Sequence, residues 1–183
     1  GSDATRQLVS LLDLEQLDTD LFRGKQPDTV RQRVYGGQVA AQSLRAACAT
    51  ARAHWRRGKS ETSGVVNRIE IIRKQIEDLV KEHRGMDDRE VPLLQLDKLL
   101  LGTEHLLVTP QDLRSDEKYF ADAYKVYMNL LWLGGAVGMG AGDEAGSADY
   151  RPRDVAYEIL TDQLQQLAHA KAEFRKHIDT DIP

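Results

Sequence analysis

The sequence predicts a mainly α chain, a bundle of about four helices behind a short helix/strand/helix segment, and three observations lead there. From residue 65 onward apolar side chains recur at three- and four-residue intervals, the period of a helix with one buried face. Four such stripes are present, and none is wide enough to stand alone, so they must bury one another. With 183 residues and 41% hydrophobic content, the chain can fill one ordinary core or two small ones that lean on each other.

In chain order, residues 5–17 place Leu8, Leu11, Leu12 and Leu14 on or near one helical face. The extended-looking run Asp-Leu-Phe-Arg-Gly at 20–24 follows as a strand. Pro27 and Asp28 mark a turn, residues 31–35 alternate polar and apolar as a strand does, and Gly36 and Gly37 break the chain. Residues 38–52 are rich in Ala and Ser, with Val39, Ala40, Ser43, Ala46, Ala47 and Thr50 available for close packing. A helix of such small residues is expected to be wrapped by something.

Composition then changes abruptly over residues 51–64, which places a junction near Gly58 and divides the chain into an N-terminal part, 1–58, and a helical bundle, 59–183. Charge divides with it. Nine basic against six acidic residues up to Gly58 give +3, while 16 against 23 beyond it give −7, within a net charge of −4. In the bundle, Val65, Ile69, Ile72, Ile76, Leu79 and Val80 form the first stripe, ending near Gly85. Pro92 is placed to open a second helix through Leu93, Leu96, Leu99 and Leu100 towards Leu107, unless Gly102 stops it early. Ser115 caps a third, with Asp116 and Glu117 in its first turn, a face of Phe120, Ala123, Tyr124, Tyr127, Leu130 and Leu131, and an end at Gly134 and Gly135. Six glycines lie between Gly134 and Gly146, and Pro152 opens a fourth helix carrying Ala156, Leu160, Leu164, Leu167, Phe174 and Ile178.

Several function classes are disfavoured by the same residues. No run of roughly 18 apolar residues exists, and the start lacks a basic stretch followed by an apolar one, so neither a membrane span nor a signal peptide is expected. The opening pair Gly1 and Ser2 looks like a scar of tag removal, so a leader can have been lost ahead of it. Cys48 is the sole cysteine, which excludes an intrachain disulfide or a thiolate cluster, and its Ala-rich setting suits a buried structural thiol. An acidic bundle does not suit nucleic acid, and the basic cluster Arg52, Arg56, Arg57 and Lys59 around Trp55 reads as a solvated helix end or linker.

Residue by residue, no catalytic constellation emerges. Gly138, Gly140, Gly142 and Gly146 follow a helix rather than a strand, so they read as an interhelical connection and not as a phosphate loop. His54, His83, His105, His169 and His177 include no pair at one-turn spacing, so neither metal nor cofactor is expected. The carboxylates fall on polar helical faces without singling out an acid/base pair, and no glycine-flanked serine nucleophile is present. Tyr119, Tyr124 and Tyr127 near Trp132 read as core and rim.

Two resemblances add to this. The run Leu-Val-Ser-Leu-Leu-Asp-Leu-Glu-Gln-Leu at 8–17, Asp-Leu-Phe-Arg-Gly at 20–24 and Arg-Gln-Arg-Val-Tyr-Gly-Gly-Gln-Val-Ala-Ala-Gln-Ser-Leu at 31–44 closely resemble the start of acyl-CoA thioesterase II, a double hot-dog enzyme, over residues 8–53. This resemblance implies an incomplete hot-dog whose sheet wraps the small-residue helix, a cytoplasmic setting, acyl-CoA as ligand, and Gly36, Gly37 and Gln38 as substrate-binding residues. The family's Asp, Thr and Gln catalytic group lies in its second hot-dog half and matches no position here, so catalytic residues stay unassigned. Val-Val-Asn-Arg-Ile-Glu-Ile-Ile-Arg-Lys-Gln-Ile-Glu at 65–77 and Gly-Ser-Ala-Asp-Tyr-Arg-Pro-Arg-Asp-Val-Ala-Tyr-Glu-Ile-Leu at 146–160 look like the C-terminal helical region of bacterial sortilin-like, BNR-repeat propeller proteins often labelled glycosyl hydrolases, with Arg153 where Thr is usual. That likeness, over residues 63–183, implies an exported protein, and the two together read as a fusion. The expected function is a non-enzymatic helical module, structural or interactive, with a protein partner or a second copy and with no nucleic acid or membrane. The alternative is a thioesterase fragment that hydrolyses acyl-CoA to free acid and CoA.

Overall fold

A computed structural model of the chain describes residues 3–26, 36–109, 124–137 and 154–180. Within these, the order is α1 (Asp3–Leu12), β1 (Glu15–Asp18), β2 (Leu21–Arg23), α2 (Gly36–Glu82), α3 (Asp87–Leu107), α4 (Val126–Val137) and α5 (Asp154–Thr180). The fold is mainly α, with a short two-stranded sheet near the N-terminus, as the stripes require. Pro27, Asp28, residues 31–35, Ser115 with its acidic turn, Tyr119, Phe120, Ala123, the glycines at 138–146 and Pro152 lie outside the described residues.

The first helix stops at Leu12, short of the expected residue 17. Residues beyond it pair antiparallel with β2, Glu15 opposite Arg23 and Gln16 opposite Phe22. A tight turn makes this possible: the Asp18 carboxylate accepts the Thr19 N–H at 2.7 Å, and Arg23 faces Glu15 across the strands at 3.3 Å.

Helix α2 is the largest departure. It spans 47 residues, about 70 Å at 1.5 Å per residue, and passes unbroken through Gly58, where a junction was expected. Glycine inside a helix costs about 1 kcal/mol relative to alanine, but Gly58 is buried and meets Leu164 of α5 so closely that an added Cβ would lie 2.7 Å from its Cδ2. The nearby hydroxyls do not compete for other conformations. Thr62 Oγ1 donates to the Gly58 carbonyl at 2.8 Å and Ser63 Oγ to the Lys59 carbonyl at 3.1 Å, both one turn back. What reads as a linker by composition is therefore a helical contact zone, and the basic cluster around Trp55 sits in mid-helix rather than at a helix end. Parts 1–58 and 59–183 as separate units of stability are a proposal, taken up in the Discussion.

Gly85 ends the α2 region in the left-handed conformation, φ +85°, which glycine adopts without penalty. Helix α3 then starts at Asp87, not at Pro92, because Asp87, Asp88 and Glu90 favour a helix N-terminus while Pro92 forfeits one backbone bond inside it. Gly102 does not stop it; burial of Leu100, Thr103 and Leu107 on either side carries the helix through. Helix α4 likewise continues past Gly134 and Gly135 to Val137.

The core has two clusters along the α2 spine. One joins Ala51 to Leu107, Val126, Leu130, Leu133, Ala156, Leu160, Leu167 and Ala170, with Trp55 and Leu164 packed against it. The other joins Ile69 and Ile76 to Leu96, Leu100 and Phe174. Helix α5 runs parallel to α2, since Tyr157 reaches the Ala47 carbonyl while Lys171, further on, reaches Glu61. Cys48 is a buried free thiol. Among the described residues, α4 and α5 pack against Ala51, whereas Val39, Ala40 and Ser43 earlier on α2, expected to be wrapped, are exposed.

Candidate functional site

Gly36, Gly37 and Gln38 are the first three residues of α2, the two glycines exposed and the glutamine half-buried. The amide of Gln38 donates from Nε2 to the Lys25 carbonyl at 2.9 Å, tying the start of the helix to the residues after the hairpin. One turn on, Gln42 Nε2 donates to the same carbonyl at 2.9 Å and to the Leu11 carbonyl at 2.8 Å, which adds the end of α1. Gly24 makes room for this tether: a Cβ there would stand 2.5 Å from Gln42 Oε1. Lys25 in turn holds Asp13 at 2.7 Å and keeps that carboxyl below its usual range, through the hydrogen bond first and its charge second. The motif residues are brought together as consecutive helical positions, and their one polar side chain holds α2 to the N-terminal hairpin.

Around Trp55 the side chains divide their roles. The indole Nε1 donates to the Leu130 carbonyl at 2.6 Å, and the ring lies over Gly134, where an added Cβ would come within 2.7 Å of it. Lys59 Nζ sits 5.7 Å from the ring centroid, close enough for a cation–π contact. Arg57 Nε donates to Glu61 at 2.8 Å, and Lys171 of α5 approaches the other Glu61 oxygen at 2.6 Å. The hydrogen bond from Arg57, then that from Lys171, holds the Glu61 carboxyl below the usual range for a glutamate. The i,i+4 spacing of Arg57 and Glu61 is a signal present in the sequence. Lys171, 110 positions from Glu61, is not legible there.

Elsewhere the half-buried Arg73 bridges Asp97 at 2.9 Å and Glu104 at 3.1 Å, joining α2 to α3. Burial opposes its charge, but the two carboxylates more than offset that and raise its pKa further. Trp132 is 67% exposed and stacks on Tyr124 with centroids 6.5 Å apart, so it belongs to the rim. His54 lies 3.2 Å from Asp20. Among the described residues no three His, Cys, Asp or Glu side chains are arranged to hold a metal, and no helix is long and apolar enough to cross a membrane.

Compared with known proteins, 46 residues of the chain are 48% identical to acyl-CoA thioesterase 2 of Haemophilus influenzae. The match covers 25% of this chain and 16% of that protein's length. No family model matches the chain, and no solved structure matches it.

Proposed function

We propose that the chain is a non-enzymatic helical module whose role is structural or interactive. The observation that carries this reading is the cover over the Ala51 end of the small-residue part of α2: Ala51 is buried in one cluster with Leu130 of α4 and Leu160 of α5, and Tyr157 of α5 reaches the Ala47 carbonyl. In the enzyme family that the N-terminal residues resemble, the corresponding helix is wrapped by the first sheet. Here α4 and α5 pack against the Ala51 end of that helix, and Gln38 is engaged with the Lys25 carbonyl. The test is release of free CoA thiol from short- and long-chain acyl-CoA by the purified full chain. No turnover above buffer is expected. Turnover that is lost in Gln38→Ala, with the far-ultraviolet dichroism unchanged, would overturn the proposal.

A second reading is favoured by the 46-residue match: a thioesterase fragment that gains activity when another chain supplies the rest of a hot-dog. The same assay, repeated after addition of a full-length thioesterase of this type rendered inactive in its catalytic group, discriminates the two. The further reading of the chain as a fusion, with residues 63–183 similar to the helical end of sortilin-like propeller proteins, rests on the residue patterns at 65–77 and 146–160. It calls for a bundle that folds without residues 1–58.

A further inference from the structure

We propose that the groove between α2 and α5 binds a small molecule bearing a phosphate group. The groove has a volume of about 390 Å³. Its apolar lining includes Leu164, Leu167 and Ala168, and its charged lining Arg57, Lys171 and Arg175. Of carboxylates, the lining contains Glu61 alone. With His54 neutral, the lining therefore has a formal charge of +2 on a chain whose net charge is −4.

Donor accounting shows unused capacity in that charged lining. Arg57 commits Nε to Glu61, leaving both terminal nitrogens, and Lys171 commits one of three N–H groups. Arg175 is exposed and makes no ion pair or hydrogen bond with any described residue. A phosphate dianion matches the charge and offers three oxygens, enough for two guanidinium groups and an ammonium at once. The apolar lining gives the remainder of the ligand a surface that a free inorganic ion would leave empty. Glu61 is the internal competitor: an arriving phosphate takes over donors of Arg57 and Lys171 that the carboxylate now shares. The proposal holds independently of any thioester hydrolysis.

Calorimetric titration of the full chain with inorganic phosphate and with n-butyl phosphate tests it, at low chloride because such contacts are screened by salt. One site is expected, with butyl phosphate several-fold tighter than the inorganic ion. Arg175→Gln, which removes no ion pair or hydrogen bond with a described residue, should weaken both by about tenfold, the scale of a lost charge-assisted hydrogen bond. Glu61→Gln should tighten both, an effect opposite in sign to that of a carboxylate with a purely structural part. Far-ultraviolet dichroism checks that both variants are folded. Absence of binding at millimolar probe, or affinities unmoved by both substitutions, overturns the proposal.

Discussion

The two core clusters are built on opposite principles although they share α2 and α5. Around Ile69, Ile76, Leu100 and Phe174 large side chains fill the space between the helices. In the other cluster the small residues Ala51, Ala156 and Ala170 sit among leucines, and the missing side chains of Gly58 and Gly134 leave the room that Leu164 and Trp55 fill. In the first cluster the residues that matter are conspicuous. In the second, the contacts depend on atoms that are missing, and glycines that look like interruptions are where Leu164 and Trp55 dock.

The largest test of this contrast is to remove residues 1–58, which leaves the Ile69/Leu100 cluster whole but strips Cys48, Ala51 and Trp55 from the other. Losing the half-buried Trp55 together with the buried Ala51 should cost roughly 3 kcal/mol, so the 59–183 fragment should melt on the order of 10 °C below the full chain. A cooperative melt at that lower temperature supports two unequal parts. A fragment without any cooperative transition makes the first half of α2 indispensable to the bundle and ends the division at residue 58.

Paired substitutions then compare the clusters directly. Leu100→Ala opens a cavity at a fully buried site and should cost roughly 2–5 kcal/mol. Gly134→Ala adds one methyl against a rigid indole and should cost roughly 1–3 kcal/mol by overpacking, despite the gain in helix propensity. Urea denaturation of both variants measures the two effects. If Gly134→Ala is neutral or stabilising, the close approach around Trp55 is not what sets that cluster, and the comparison fails.

The smallest effect belongs to the Glu61 pairing that joins α2 to α5. Its carboxyl titrates below the ordinary 4.5 in the folded chain, held down by the Arg57 and then the Lys171 hydrogen bond. A depressed carboxyl pKa adds stability that is fully present above 4.5 and is lost as pH falls through the lower folded value. For a partly exposed pair this amounts to less than about 1 kcal/mol. The melting-temperature gap between the native chain and Glu61→Gln should therefore narrow as pH drops from about 6 to about 3. Asp13 and Glu77, whose carboxyls are also held low by lysines, are common to both proteins and cancel in that difference. A gap that is constant with pH would detach Glu61 from the stability of the fold.

Gly36, Gly37 and Gln38 were singled out only through a family resemblance, and the tether that Gln38 makes was not legible, because its acceptor is a backbone carbonyl 13 residues away. Trp55 stood out by its basic neighbours, yet its indole is used inward on Leu130, a contact 75 positions distant.

Local periodicity by itself determined that this chain is mainly helical, that Val65, Ile69, Ile72, Ile76 and Val80 pack on one face, though Leu79, assigned to the same stripe, is exposed, that α5 carries Leu160, Leu167 and Phe174 inward, and that Gly85 ends a helix. Those outcomes depend on neighbours within a turn or two, which sequence order supplies. Only the tertiary structure decided that α2 continues through Gly58 and that Lys171 closes on Glu61. Helix continuity at a glycine is a balance between a backbone cost of about 1 kcal/mol and packing against a residue far along the chain, and the second quantity exists only once Leu164 is in place.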